Sequence, residues 1–196
     1  DLGVVTVEGL VAPVAMNPVP PGNNYFFTGL PLLAMDDGAT IRLRSAGGAW
    51  PALELFGLGV LDLDVAAIAG WTIAQGTPLA LEWPSTAGRA EILFRLNIDQ
   101  HGLSPSTLVC AFPDTGTATV PAAMIDGLFG AGVSGWPSAT LARRTVDRMD
   151  AGGGCVDFEV TSPRAVPVQV SGYTPCNAQN PCPEGMTCNL EIELCE

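Results

Sequence analysis

Three features of this 196-residue chain could in principle do chemistry. Asp114-Thr115-Gly116 is a tripeptide that can present a carboxylate to activate water against a peptide bond. That chemistry needs two such carboxylates close enough to share a proton. The chain holds one copy, and Cys110 and Pro113 interrupt the apolar strand that should lead into it. Asp-x-Gly after a strand is also an ordinary turn, and the sequence predicts a turn here. His101 is the only imidazole, so a Ser–His or Cys–His nucleophile would have to use it. Gly132-Val133-Ser134-Gly135 falls short of a nucleophile elbow, and the cysteines are expected to be bonded. No spacing nominates a pair of carboxylates for general acid–base work. The sequence therefore predicts no catalytic residue and a non-enzymatic protein.

Ligand binding has better candidates. Asp36-Asp37, Asp62 with Asp64, and Asp147 with Asp150 could offer hard oxygen ligands, so a structural calcium ion is the metal this chain would suit. No run matches a known calcium loop, and no cofactor is implied. Aromatic rings can stack on sugar rings, and four Trp residues are present. Trp71 and Trp83 fall in or beside strand-like runs and suit a core. Trp50 and Trp136 each precede Pro in Gly-rich loop sequence, which makes them the candidates for an exposed ligand platform.

The six cysteines bear on compartment. Cys110 and Cys155 stand alone, while Cys176, Cys182, Cys188 and Cys195 crowd the last 21 residues. An even count at such spacings predicts three disulfides, hence an extracellular or outer-surface protein from an oxidising compartment. Zinc would favour closer cysteine pairs and nearby histidines. The chain opens on Asp1 with neither Met nor an apolar leader, which predicts a processed, exported protein. No uninterrupted apolar run of about 18 residues is present, so no transmembrane segment is expected. Net charge is −12 and all eight basic residues are Arg. Such a surface repels polyanions, so nucleic acid is not an expected partner.

The elements that must position these residues are strands. Alternation recurs at Val5–Glu8, Ile41–Arg44, Leu53–Leu55, Leu61–Val65 and Leu79–Trp83, and most clearly at Ile92, Phe94, Leu96 and Ile98. Val156–Val160 and Val166, Val168, Val170 predict a hairpin around Ser162-Pro163. With 23 Gly and 17 Pro spread along the chain, these runs predict an all-β fold. The expected form is a two-sheet antiparallel β-sandwich, residues 23–172, with one short helix over Val120–Phe129. Pro121 would open that helix, and Met124, Ile125 and Leu128 would form its apolar stripe. Cys110, placed at a strand end, would then bond Cys155.

Residues 1–22 form a separate region. Val4–Val14 is β-prone, and Pro18-Val19-Pro20-Pro21 is a stiff spacer after it. Such a strand can pair in its own domain or complete a sheet in a neighbouring copy, which would make the protein a subunit of an assembly. Residues 173–196 have almost nothing apolar, so disulfides must replace a core in a small C-terminal module. Four cysteines allow three pairings, of which the interleaved Cys176–Cys188 with Cys182–Cys195 would fix so short a chain best.

Cys176-Asn-Ala-Gln-Asn-Pro-Cys182-Pro-Glu-Gly-Met-Thr-Cys188 followed by Cys195 resembles the short Cys-rich repeats appended to exported proteins and lipoproteins of myxobacteria and their relatives. It is also similar to the core of granulin- and EGF-like knots, whose bonds interleave. The body, notably Leu108–Gly116 running on to Val120-Pro121, resembles β-domains found beside such repeats. The resemblance implies an extracellular setting and assigns no catalytic residue. The function expected is therefore a secreted or cell-surface structural or adhesive protein that associates with itself or with other surface proteins. The alternative is a carbohydrate-binding module or a substrate-binding surface lipoprotein, with a glycan as partner.

Overall fold

The computed structural model describes residues 1–31, 33–64, 68–86, 88–99, 106–151 and 154–196. The fold is built of strands with one short helix, several antiparallel sheets and a disulfide-stapled C-terminal segment. The chain gathers into two compact units. Unit 1 is Asp1–Asp62 with Arg143–Ser162, and unit 2 is Leu63–Ala142 with Pro163–Glu196. Residues 1–22 fall in unit 1 and residues 173–196 in unit 2.

In unit 1 one sheet runs β2-β1-β3-β4, from Val14–Met16, Val5–Glu8, Thr40–Ser45 and Glu54–Leu58. Val5, Val14, Ile41 and Leu55 are buried, one face of each strand as alternation requires. β1 lies between β2 and β3, antiparallel to both. The strand that could have been donated to a neighbour is thus paired on both edges in its own sheet. One reason is local: the chain turns at Gly9, so β2 forms on one edge of β1 before the Pro-rich run begins, and β3, beyond that run, returns to the other edge. The β4 edge is covered too. Phe56 N–H donates to Asp147 Oδ2 at 2.8 Å, and Leu58 N–H donates to Thr145 Oγ1 at 3.1 Å. Side chains there occupy backbone groups that an open edge would expose.

Unit 2 holds the larger core. β5 (Trp71–Ile73), β6 (Leu79–Glu82), β7 (Glu91–Asn97), β8 (Thr107–Pro113), β9 (Thr117–Val120) and α1 (Ala122–Ala131) enclose it. Ile92, Phe94, Leu96 and Ile98 are fully buried, as their shared face predicts. Ile125 and Leu128 of α1 enter the core, but Met124 turns to solvent, so the helix presents a narrower stripe than expected.

Two sequence expectations are corrected. The hairpin is not around Ser162-Pro163: β10 (Ser138–Asp150) precedes β11 (Cys155–Val166), a strand that runs straight through both residues. β11 is the edge of the sheet β11-β10-β7-β8, and an edge position is where a strand can hold a proline without losing a ladder bond. Arg148 forks onto Asp157 between β10 and β11 (2.7 and 2.8 Å), and that hydrogen bonding holds the Asp157 carboxyl below its ordinary range. β12 (Val168–Val170) instead pairs parallel with β5. The second correction is Leu61–Val65. Leu61–Asp64 is not a strand, because side chains take the backbone groups of Leu61: its N–H donates to Asp37 Oδ1, and its carbonyl accepts from the Arg143 guanidinium. Val65 lies outside the described residues.

The C-terminal segment carries Cys176–Cys188 and Cys182–Cys195, interleaved as expected, and a short ribbon of β13 (Cys188–Asn189) and β14 (Leu194–Cys195). Each bond closes a small loop and contributes about 3 kcal/mol. The third expected bond is absent. Cys110 and Cys155 are free thiols, because Cys110 sits mid-strand opposite Phe94, packed against the unit 2 core. Cys155 opens β11 in unit 1. Burial pushes the Cys110 thiol up from its ordinary value.

Candidate binding clefts

Among the described residues, those singled out for chemistry do not assemble. Asp114 does more than make a turn: it is buried, with Oδ1 accepting from the Trp83 indole N–H at 2.7 Å and Oδ2 from the Thr86 hydroxyl at 3.0 Å. Its carbonyl accepts from Ser85, and Gly116, at φ 94°, reverses the chain into β9. Asp114 is a structural anchor for Trp83. His101 lies outside the described residues. Among the carboxylates nominated for calcium, Asp37, Asp62 and Asp147 accept hydrogen bonds within unit 1. Among the described residues the one group with metal-ligand spacing is Cys176, Cys182 and Cys188, and disulfides occupy all three.

The four Trp residues divide as the sequence suggests. Trp83 is buried and Trp71 meets Phe94 edge-on in the unit 2 core. Trp50 and Trp136 are 38% and 41% exposed. Each lines a cleft, and each cleft also holds one of the chain's two Tyr residues.

In unit 2 Trp136 follows a clamped backbone. Ser134 N–H donates to the Ile98 carbonyl at 3.0 Å, and Gly135 N–H donates to the Ile192 carbonyl of the disulfide segment at 2.8 Å. Tyr173 arrives from the other side. A turn after β12, closed by Tyr173 N–H to the Val170 carbonyl at 3.1 Å, places its ring 6.2 Å from Phe129 of α1. Gln169 of β12, Thr174, Pro175 and Leu194 complete the walls around about 440 Å³. That volume is within the range of small-molecule sites. Pro175 bridges Leu194, so the disulfide segment forms one wall of this cleft rather than hanging free as an appendage. Among the described residues none that lines it is charged.

In unit 1 Trp50 shares a cleft of about 460 Å³ with Tyr25, Asp1 and Cys155. Tyr25 hydroxyl accepts from Leu2 N–H at 2.8 Å, and Trp50 N–H donates to the Asp1 carbonyl at 3.2 Å. The two clefts belong to different units. The sequence singled out Trp50 and Trp136 from their flanking Gly and Pro. It missed Tyr25, Gln169 and Tyr173, whose roles depend on pairings remote in sequence.

The chain matches no family model, and neither a curated protein nor a solved structure is significantly similar to it. Among the described residues no helix is long and apolar enough to cross a membrane. The two disulfides are compatible with an oxidising compartment.

Proposed function

We propose that this is a secreted or cell-surface, non-enzymatic protein of the structural or adhesive kind, one that holds a partner without changing it. The observation that carries the reading is the Trp136–Tyr173 cleft: solvent-facing aromatic rings set in a wall that, among the described residues, holds no charged side chain. Large, rigid aromatics that reach solvent are how recognition surfaces gain contact area. The interleaved disulfides support an extracellular setting. Because β1 is paired on both edges, self-association by donating that strand forms no part of the proposal.

The carbohydrate-binding alternative gains from a separate observation, the second exposed Trp in the Trp50–Tyr25 cleft. Co-sedimentation with insoluble cell-envelope material at physiological salt tests the adhesive reading. The protein should pellet with the material, and the supernatant should gain no soluble sugar or peptide fragments. Release of fragments would make it an enzyme, and failure to pellet would remove the adhesive role.

A further inference from the structure

We infer that the cleft between Trp136 and Tyr173 is a binding site for a neutral glycan, with the C-terminal disulfide segment as its fixed wall. The inference rests on the adhesive reading in one respect: the ligand is held and not transformed. Four observations lead to it. First, the two aromatic side chains are exposed, 41% for Trp136 and 43% for Tyr173, and both line one concave site. A pyranose ring has an apolar face of C–H groups, which suits an aromatic surface, and an equator of hydroxyls, which needs donors and acceptors nearby.

Second, those donors and acceptors are present and uncommitted. Among the described residues the Trp136 indole N–H, the Tyr173 and Thr174 hydroxyls and the Gln169 amide make no side-chain hydrogen bond. Gln offers one carbonyl acceptor and two N–H donors, and the hydroxyls both donate and accept. That mixture matches vicinal sugar hydroxyls. Third, among the described residues the lining carries no charge, in a chain of net charge −12. An ionic ligand would lose water there without gaining a counter-charge, so the site selects a neutral one.

Fourth, the site is pre-formed. Gly135 N–H to the Ile192 carbonyl ties the Trp136 loop to the disulfide segment, and the Pro175–Leu194 bridge closes that wall. Cys176 is fully buried beneath it and bonded to Cys188. Restraint before binding lowers the ordering cost, which weak sugar contacts would otherwise struggle to overcome. This also gives the cysteine-rich segment a task, namely to hold Leu194 and Pro175 in place.

Affinity electrophoresis through gels containing glucan, galactomannan, xylan or glycol chitin tests the inference. The wild-type protein should be retarded by at least one. Trp136→Ala should lose about tenfold or more in affinity, as truncation of a central aromatic anchor does. Tyr173→Ala and Gln169→Ala should weaken retardation, while Trp50→Ala should leave it unchanged. Trp136 and Gln169 are exposed, so far-UV circular dichroism should show these variants folded. Retardation that survives Trp136→Ala, or that vanishes only with Trp50→Ala, overturns the site while leaving the adhesive reading intact. Mobility unaffected by all four polymers also overturns it, and co-sedimentation then judges adhesion separately. Equal retardation by an anionic polysaccharide overturns the neutral class. A proline-rich peptide that quenches Trp fluorescence, where no glycan does, assigns the cleft to a different ligand.

Discussion

Asp114 shows how one residue can suggest catalysis in sequence and provide anchorage in the fold. Its carboxylate is buried yet receives the Trp83 indole and the Thr86 hydroxyl. Removing an acceptor while leaving buried donors behind costs about 1–3 kcal/mol. Asp114→Ala should therefore lower the unfolding free energy by that amount in urea titration, and an unchanged midpoint would contradict the anchoring role. Asp114→Asn should cost less. Its carbonyl can still accept from Trp83, and the Thr86 hydroxyl can rotate to accept from the new amide. Asp-Thr-Gly was legible as a turn, since Gly116 supplies the positive φ the reversal needs. Burial of the carboxylate was not legible, because Trp83 and Thr86 lie some thirty residues earlier in the chain.

At the scale of elements, what could be read was whatever carried a strict period. β7 was plain because Ile92, Phe94 and Leu96 alternate against Arg95 and Asn97. β10 was opaque: beyond Ala142 its residues are mostly charged or polar, and no single face is apolar. Ser162-Pro163 read as a turn because the edge position that tolerates proline is a property of the sheet, absent from local sequence. The cysteines divide in the same way. The interleaved pairs were legible because a short segment leaves few arrangements, whereas the fate of Cys110 depended on its register opposite Phe94. Two free thiols follow from that register. Alkylation under denaturing, non-reducing conditions should add two labels by intact mass, on Cys110 and Cys155. In the folded protein Cys155, which is exposed, should react first, since burial both shields the Cys110 thiol and raises its pKa. No labels would mean a third disulfide, and more than two would mean a broken C-terminal pair.

For the whole molecule, an all-β class was readable from composition and alternation, but the division into two units was not. Each unit is drawn from separated stretches of chain. The same long-range pairing builds the candidate site. Trp136 was visible from its loop sequence, but Gln169 and Tyr173 reach it because β12 lies parallel to β5, and Leu194 because disulfides fold the last residues back. The central claim is that this protein works by holding a neutral ligand against Trp136. The four indole N–H resonances of ¹⁵N-labelled protein test it most directly, since they report four environments in one spectrum. Titration with the oligosaccharide of whichever polymer retards the protein most should shift the Trp136 resonance in a saturable way. The Trp83 resonance, locked on Asp114, should stay in place. A spectrum in which Trp136 does not move at saturating ligand, or in which Trp50 alone moves, would contradict the account.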